Sequence, residues 1–530
     1  MPEFTLANAF LAAARKYVER PALVAGRERL SYGELAQRAT DWSATIRAVA
    51  PTDAMLVGVF ASRSATAYTG ILSALISGRG YLPLNPHFPT ERNARILALS
   101  DVRVLIVAAE ATQQLDSLLA SALQPLTILL PDHASAAAWQ TGHTRHRFIA
   151  ACDFRRGCIV ASGVDADPAA TAYLLFTSGS TGEPKGVAVS NMNVGAYVTH
   201  VCERYGISEN DRFSQMPDLT FDLSIQELWP CFSSGACLCV VPKKATFQPS
   251  AFIREHAITL WTSVPSVVSF MDQMHVLKPN AFPTIRWSVF CGEALTLAQV
   301  HAWERAASNS RIENLYGPTE ATVASTGYPW NPEFSSADCI NGIVPIGWSF
   351  PHQRDRIVDS EGFEVAPGQT GELCLAGPQV TAGYLNDPMR TAERFVRLPD
   401  SSELWYRTGD LAFRTETGCM HFAGRRDDQV KIRGYRVELQ EIDAAVRRAS
   451  GLDGVVSLAW PVRGGSADGI VSFVCGTDEL DSLQVLERCR TVLPDYMVPS
   501  RLLVIPTFPL TANGKVDRRK LTQMLSGEAG

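Results

Sequence analysis

Short runs of β-branched and aromatic residues alternate along this chain with stretches whose apolar residues recur at helical spacing, and that alternation restricts the fold more than any other feature. The segments Val102-Arg-Val-Leu-Ile-Val107, Tyr173-Leu-Leu-Phe176, Ala236-Cys-Leu-Cys-Val-Val241 and Trp287-Ser-Val-Phe290 read as buried strands. Helical patterns lie between them, for example over residues 251–256 and 296–308. Strand and helix in turn predict an α/β protein, with layered parallel sheets under helical cover. After about residue 360, Gly362, Gly368, Gly371, Gly377 and Gly383 punctuate short segments that read as a β-rich subdomain. The polar run Gly424-Arg-Arg-Asp-Asp-Gln429 then leads into a final region with the look of a small α+β domain. The expected division is a large N-terminal domain of sheets and helices over 1–424 and a small C-terminal domain over 425–530, with a hinge near Asp427.

Composition narrows the function classes. At 46% hydrophobic and 19% charged, the chain is ordinary globular material. A formal charge of -6 over 530 residues gives no reason to expect a nucleic-acid or anionic-membrane partner. The twelve cysteines fall partly in apolar runs such as Gly235-Ala-Cys-Leu-Cys-Val-Val241, the pattern of buried free thiols in a reduced cytoplasm. No Cys-x-x-Cys and no His-Glu-x-x-His occurs, so zinc ligation by the protein is not expected. The first sixteen residues read as an amphipathic helix, and the apolar runs fall short of the ~18 residues that span a bilayer.

The segment Leu174-Leu-Phe-Thr-Ser-Gly-Ser-Thr-Gly-Glu-Pro-Lys-Gly-Val187 carries the most chemistry: an apolar strand runs directly into a hydroxyl-rich and glycine-rich loop that ends in a lysine. Gly179, Gly182 and Gly186 let backbone N–H groups approach an oxyanion. Thr177, Ser178, Ser180 and Thr181 add hydroxyl donors, and Lys185 adds charge. The fifth residue after Gly179 is Pro184, which departs from the Walker A spacing and removes the kinase-like and GTPase-like readings.

This loop resembles the signature of the adenylate-forming enzymes, the superfamily that includes acyl-CoA synthetases, luciferases and the adenylation domains of nonribosomal peptide synthesis. Further segments match that family in order: Leu30-Ser-Tyr-Gly-Glu-Leu35, Gly80-Tyr-Leu-Pro-Leu-Asn-Pro86, Phe221-Asp-Leu-Ser224, Tyr316-Gly-Pro-Thr-Glu320, Gly371-Glu-Leu-Cys374, Tyr406-Arg-Thr-Gly-Asp410, Gly424-Arg-Arg-Asp-Asp-Gln-Val-Lys431 and Asn513-Gly-Lys515.

The resemblance implies ATP and Mg2+ as cosubstrate and metal. It gives Tyr316 the role of stacking on adenine, Thr319 a hydrogen bond to the α-phosphate, and Glu320 the Mg2+, a hard cation that prefers oxygen ligands. Asp410 would accept both ribose hydroxyls. Arg425 would contact the nucleotide near the hinge, and Gly292, Glu293, Asn314 and Gly317 complete the implied nucleotide site. Lys515 would reach in from a mobile C-terminal domain and offset the charge that builds up as carboxylate meets phosphate, alongside Lys185. Taken singly, Glu320 also fits a surface charge and Lys515 a solvated tail residue.

Phe221-Asp-Leu-Ser-Ile-Gln-Glu-Leu-Trp229 resembles the amino-acid-activating branch, in which an aspartate at the position of Asp222 pairs with the substrate's α-ammonium. On its own, Asp222 also fits a helix N-cap. The same resemblance makes Asp222, Leu223, Gln226, Thr262, Val289, Cys291, Leu315, Val323 and Ala324 the pocket lining. No charge beyond Asp222 is present among them, so the implied substrate is a small or medium neutral amino acid such as alanine, proline or serine. Similarity to D-alanyl and prolyl carrier protein ligases, with no carrier or condensation motif after Lys515, leads to the expectation of a freestanding enzyme. Its aminoacyl group would pass to the phosphopantetheine thiol of a peptidyl carrier protein in trans. An acyl- or aryl-CoA synthetase of the same fold and a catalytically silent nucleotide-binding module remain the alternatives.

Overall fold

A computed structural model describes residues 4–159, 163–179, 183–246, 248–463, 466–476, 480–510 and 516–527. Ser180, Thr181, Gly182 and Lys515, all expected to act at phosphate, lie outside these residues. The chain forms two compact units. The first contains residues 1–86, 93–176 and 186–426, and the second 87–92, 177–185 and 427–530.

Two large sheets and a smaller one organise the first unit. In the nine-stranded sheet the strands Arg212–Gln215, Leu260–Ser263, Trp287–Phe290 and Arg311–Tyr316 are parallel neighbours, with Thr262 beside Val289 and Val289 beside Glu313. In the seven-stranded sheet Leu56–Phe60, Gly80–Leu84, Val104–Val107, Thr127–Leu130 and Arg147–Ala150 run parallel. The four apolar runs seen in the sequence fall in the strands Val104–Val107, Thr171–Thr177, Cys237–Val240 and Trp287–Phe290, the run at Val102 pairing only from Val104. Parallel strands covered on both faces need apolar residues throughout, and Leu56–Phe60, Gly80–Leu84 and Val104–Val107 are buried at every position. Cys237 and Cys239 lie buried and free in Cys237–Val240.

Local signals explain the helices. Leu6–Lys16 starts at Thr5, whose hydroxyl accepts from the Asn8 amide, and buries Leu6, Phe10 and Leu11. Tyr32–Val49 opens with a capping box: Ser31 accepts from the Glu34 amide and the Glu34 carboxylate accepts from the Ser31 amide. The Leu30-Ser-Tyr-Gly-Glu segment is therefore a helix start, a device worth about 1 kcal/mol. Among the described residues no helix is long and apolar enough to cross a membrane.

The β-rich region begins earlier than its glycines indicate, at the strand Arg354–Val358, which pairs antiparallel with Gly371–Ala376. Gly371 is obligatory there, because a Cβ would stand 2.4 Å from the Val358 carbonyl oxygen. Glu372, buried, ties this sheet together. It accepts from the Gly409 amide at 3.1 Å and from Arg426 at 2.8 Å, and it is ion-paired with Arg407.

In the second unit Gln429–Ile432 and Tyr435–Glu438 form a hairpin whose turn holds Arg433 and Gly434 at positive φ, 49° and 84°, the geometry of a tight two-residue turn. The helix Leu439–Ser450 and the strands Val455–Ala459, Ile470–Cys475 and Arg501–Ile505 follow.

Burial pushes the Glu372 carboxyl upward, but Arg407 and Arg426 outweigh it and hold its pKa below the ordinary glutamate value. A depressed carboxylate stabilises the fold above its unfolded pKa, and that contribution is lost as pH falls through the folded value. Glu372→Gln is expected to cost about 3 kcal/mol at pH 7 in a denaturant melt. The gap between wild type and variant should shrink as the melt is repeated from pH 5 downward. A gap independent of pH would remove the electrostatic reading.

Candidate active site

The sequence-predicted pocket residues of the first unit come from the carboxyl ends of neighbouring parallel strands. Thr262 lies in Leu260–Ser263, Val289 in Trp287–Phe290 with Cys291 just past its end, and Asn314, Leu315 and Tyr316 in Arg311–Tyr316. Open parallel sheets place their ligands at this edge. Leu223 and Gln226 come from the first turn of the helix Leu223–Ser234, preceded by Asp222. Thr262, Val289, Cys291, Leu315, Val323, Ala324, Leu223 and Gln226 are all buried.

That helix is fixed from several directions. Asp218 accepts from the Thr220 amide, the Thr220 hydroxyl at 2.6 Å and the Asn85 amide nitrogen at 2.6 Å, which shapes the turn leading to Asp222. Asn85 belongs to the Gly80-Tyr-Leu-Pro-Leu-Asn-Pro86 segment, whose contribution to the site is thereby structural. Glu227 accepts from the Ser214 hydroxyl and the Met216 amide, both at 3.1 Å, and burial pushes its carboxyl well above the usual range. Gln226 accepts on its carbonyl oxygen from the Tyr197 hydroxyl, a phenol that burial keeps protonated.

Asp222 occupies the helix N-cap position, yet its side chain makes no capping bond. It accepts instead from the Thr319 hydroxyl at 2.6 Å. The carboxylate assigned to an ammonium and the hydroxyl assigned to the α-phosphate are thus direct neighbours.

Tyr316 and Asp410 also meet. The phenol donates to Asp410 Oδ2 at 2.5 Å, and Arg425 reaches Asp410 Oδ1 at 2.5 Å. Burial first, and then the adjacent Asp410 charge, raise the Tyr316 pKa well above 10, so it stays a neutral donor with a fixed ring. Asp410 itself follows Gly409, which sits at positive φ at an irregularity within the strand Trp405–Arg414 and whose amide is held by Glu372.

Glu320 is fully buried and accepts from the Tyr384 hydroxyl at 2.8 Å, while its carbonyl accepts from the Thr381 amide at 2.9 Å. Glu293 accepts from the Ser266 amide at 2.8 Å at the start of the helix Pro265–Gln273, and Gly292 has φ 91°. Asn314 donates to the Pro345 carbonyl at 2.8 Å. Gly317 passes so close to the returning chain that a Cβ would stand 2.5 Å from Ala324 Cα.

Thr322 and Val323 follow one another at φ 58° and 71°, and the Ala324 amide bonds the Thr322 carbonyl at 2.9 Å. This is a γ-turn of the rare positive-φ kind, centred on a β-branched residue, and such residues cost about 1–3 kcal/mol each.

In the second unit the Ser178 hydroxyl donates to the Arg436 carbonyl at 2.8 Å and accepts from the Glu438 amide at 3.2 Å, so both of its hydrogen-bonding roles are in use. The Thr177 hydroxyl is buried with no partner among the described residues. Gly179 lies two residues further on, and Lys185 begins the strand Lys185–Ser190. Among the described residues no cluster of three or more His, Cys, Asp or Glu side chains could hold a metal, so a cation at Glu320 would take its remaining ligands from phosphate and water. The fully buried Glu320 carboxylate is a hard oxygen donor of the type Mg2+ requires.

Sequence reasoning missed Tyr197, Gln379, Glu372 as a support of Asp410, and Tyr384. Gly371-Glu and Gly383-Tyr mark two of these positions by the glycine before each; nothing local marks Tyr197 or Gln379.

Residues 10–385 match the AMP-binding enzyme family. An L-proline–(L-prolyl-carrier protein) ligase of Pseudomonas fluorescens is 32% identical over 527 residues, which cover 97% of each chain. Tyrocidine synthase 3 of Brevibacillus parabrevis is 33% identical over 536 residues; the match takes in 99% of this chain and 8% of that protein, so the chain corresponds to a small part of it. The Vibrio cholerae adenylation domain AlmE, solved in complex with glycyl-adenosine-5'-phosphate, superposes with a TM-score of 0.89 at 32% identity over 98% of each chain. A family match across most of the chain, a relative matched over nearly its full length and the arrangement around Tyr316, Thr319 and Asp410 make this protein a member of the AMP-binding enzyme family, within the adenylate-forming superfamily.

Proposed function

We propose that the protein activates a small or medium neutral amino acid with ATP as its aminoacyl adenylate and then transfers the aminoacyl group to the phosphopantetheine thiol of a separate carrier protein. The observation that carries this reading is the 2.6 Å hydrogen bond from Thr319 to Asp222. In an aminoacyl adenylate the α-ammonium and the α-phosphate are only a few bonds apart, so their binding groups must be neighbours, as these two are. A fatty or aryl acid would offer Asp222 no ammonium, which disfavours the acyl- and aryl-CoA synthetase alternative. The prolyl ligase and the glycyl-adenylate complex among the relatives support the same substrate class.

The chemistry follows from the named groups. A substrate carboxylate oxygen attacks the α-phosphorus, an O–P bond forms, the bond to the β-phosphate bridging oxygen breaks, and pyrophosphate leaves. Tyr316, its hydroxyl fixed by Asp410, presents its ring to adenine. Asp410 accepts the ribose hydroxyls beside its two protein donors, since a carboxylate offers about four lone-pair directions. Thr319 orients the α-phosphate, and Lys185 and Lys515 offset the negative charge that gathers in the transition state. Glu320 would hold Mg2+, which supplies charge neutralisation for the phosphates. In the second half-reaction the carrier thiolate attacks the acyl carbon and AMP departs. A rotation of residues 427–530 about Asp427 would exchange one half-reaction for the other.

The uncharged lining and the engagement of the Gln226 carbonyl by Tyr197 favour a neutral side chain. ATP–pyrophosphate exchange measured across L- and D-amino acids, aryl acids and fatty acids tests the whole reading. Stimulation by alanine, proline, serine or a similar residue is expected, with none from lysine, glutamate or fatty acids; stimulation by aryl or fatty acids alone would overturn it. Asp222→Asn should lower kcat/KM for the amino acid by about a hundredfold through loss of the ammonium's ion pair, with KM for ATP little changed. Lys515→Ala should slow exchange by about a hundredfold or more with an unaltered circular dichroism spectrum, and an unchanged rate would reject its role. Loading of a holo carrier protein but not of free CoA would identify the acceptor.

A further inference from the structure

The γ-turn at Thr322–Ala324 is held open to strain by a residue far away in the sequence. Gln379, 1% exposed, donates its amide nitrogen to the Ala324 carbonyl at 2.7 Å and the Ala321 carbonyl at 3.2 Å. Its backbone carbonyl accepts from the Thr322 hydroxyl at 2.6 Å. Tight turns at positive φ leave carbonyls without ladder partners, and buried carbonyls without partners are costly. One glutamine side chain supplies those partners on the inside of this turn.

The turn carries two of the residues assigned to the amino-acid pocket, Val323 and Ala324, and it returns against Gly317 with no room to spare. We propose that Gln379 is the positioning residue that sets this wall of the amino-acid pocket, acting through the backbone of Val323 and Ala324 without touching substrate. The inference rests on the proposed amino acid activation for its choice of substrate.

The residue type is dictated by the acceptors. Glutamate would turn carboxylate oxygens on backbone carbonyls and repel them. Methionine would match the length but donate nothing. Asparagine would be one carbon too short to reach both carbonyls.

The neighbouring metal-side carboxylate is held separately. Thr381 donates its amide to the Glu320 carbonyl at 2.9 Å, and the Tyr384 hydroxyl bonds Glu320 Oε1 at 2.8 Å. Release of the turn by loss of Gln379 therefore leaves Glu320 anchored. The consequence is a split: the amino-acid side of the site loosens and the nucleotide side does not.

The test compares wild type with Gln379→Met and with Thr322→Val, which removes only the hydroxyl bond to the Gln379 carbonyl. Pyrophosphate exchange is measured across the amino acid panel, and amide hydrogen exchange at residues 321–325 is followed in the ligand-free protein. Gln379→Met is expected to raise KM for the preferred amino acid about tenfold and to narrow the preference among side chains of different size. KM for ATP should stay within about twofold. The Ala324 amide should exchange faster, and Thr322→Val should move each quantity in the same direction by less. An unchanged amino acid KM in folded variants, equal increases in both KM values, or unaltered exchange at Ala324 would each overturn the assignment. Failure of the functional reading is recognised separately, because the wild type itself would then show no amino-acid-dependent exchange. Gln379 would in that case be refuted as a pocket-setting residue whatever its effect on the turn.

Discussion

The backbone crossing at Gly317 and Ala324 governs the geometry of the site. A Cβ at 317 would stand 2.5 Å from Ala324 Cα and 2.8 Å from the Ser325 nitrogen, so the outgoing and returning chains touch directly. The returning Ser325 amide bonds the Tyr316 carbonyl at 2.9 Å, closing the loop at its neck. Everything between is confined to a loop of a few residues: Tyr316, proposed to face adenine, Thr319, Glu320, and Val323 and Ala324, proposed to line the amino-acid pocket. With so little chain available, the reversal passes through Thr322 and Val323 at positive φ, and the strain there follows from the close crossing.

A loop under that constraint keeps its shape only if its polar groups are satisfied from outside. Thr319 is taken by Asp222, Glu320 by Tyr384 and Thr381, Thr322 and Ala324 by Gln379. The donors on the 379–384 side are neutral, so they fix position without changing charge. The side proposed to hold the nucleotide is built differently. Asp410 meets the cation Arg425, and the strand irregularity at Gly409 before it is secured by Glu372 with Arg407 and Arg426. Charged pairs give orientation through a strong field, which suits the proposed role of Asp410, a carboxylate that would have to hold its place beside a polyanion.

Much of this was readable in the sequence where local chemistry decides. The apolar runs became strands within a residue or two, and the ordered motifs identified the superfamily. The pairings Tyr316–Asp410 and Asp222–Thr319 follow from residues singled out in the sequence, but their contact was not legible, because 94 and 97 residues separate the partners. Tyr197 and Gln379 were invisible for a related reason. A buried tyrosine in a helix and a glutamine after Gly377-Pro are unremarkable until the fold brings an acceptor opposite them. The start of the β-rich region was placed late because glycines mark its turns, whereas Arg354–Val358 carries arginine and aspartate on an edge strand that only its pairing with Gly371–Ala376 reveals.

A neutral pocket of the kind proposed would rest on pairing as much as on composition. Glu227 and Glu313 stand next in sequence to Gln226 and Asn314, and both are fully buried. An unpaired carboxylate at either position would impose a field on the site and draw a cationic side chain into it. Glu313 is instead clasped by the Arg204 guanidinium, whose Nε lies 2.7 Å from Oε1 and 2.9 Å from Oε2. Burial pushes the Glu227 carboxyl well above the usual carboxylate range, against the Met216 amide and Ser214 hydroxyl, whose hydrogen bonds favour its charged form. Glu313 and Leu315 are two residues apart in the strand Arg311–Tyr316 and share a face, both side chains flanking Gly327, so it is the Arg204 clasp that offsets a carboxylate on Leu315's own side of the sheet. The proposed preference for an uncharged side chain thus depends on residues outside the lining: replacing Arg204 or uncovering Glu227 would bring a negative charge into play without altering any pocket residue.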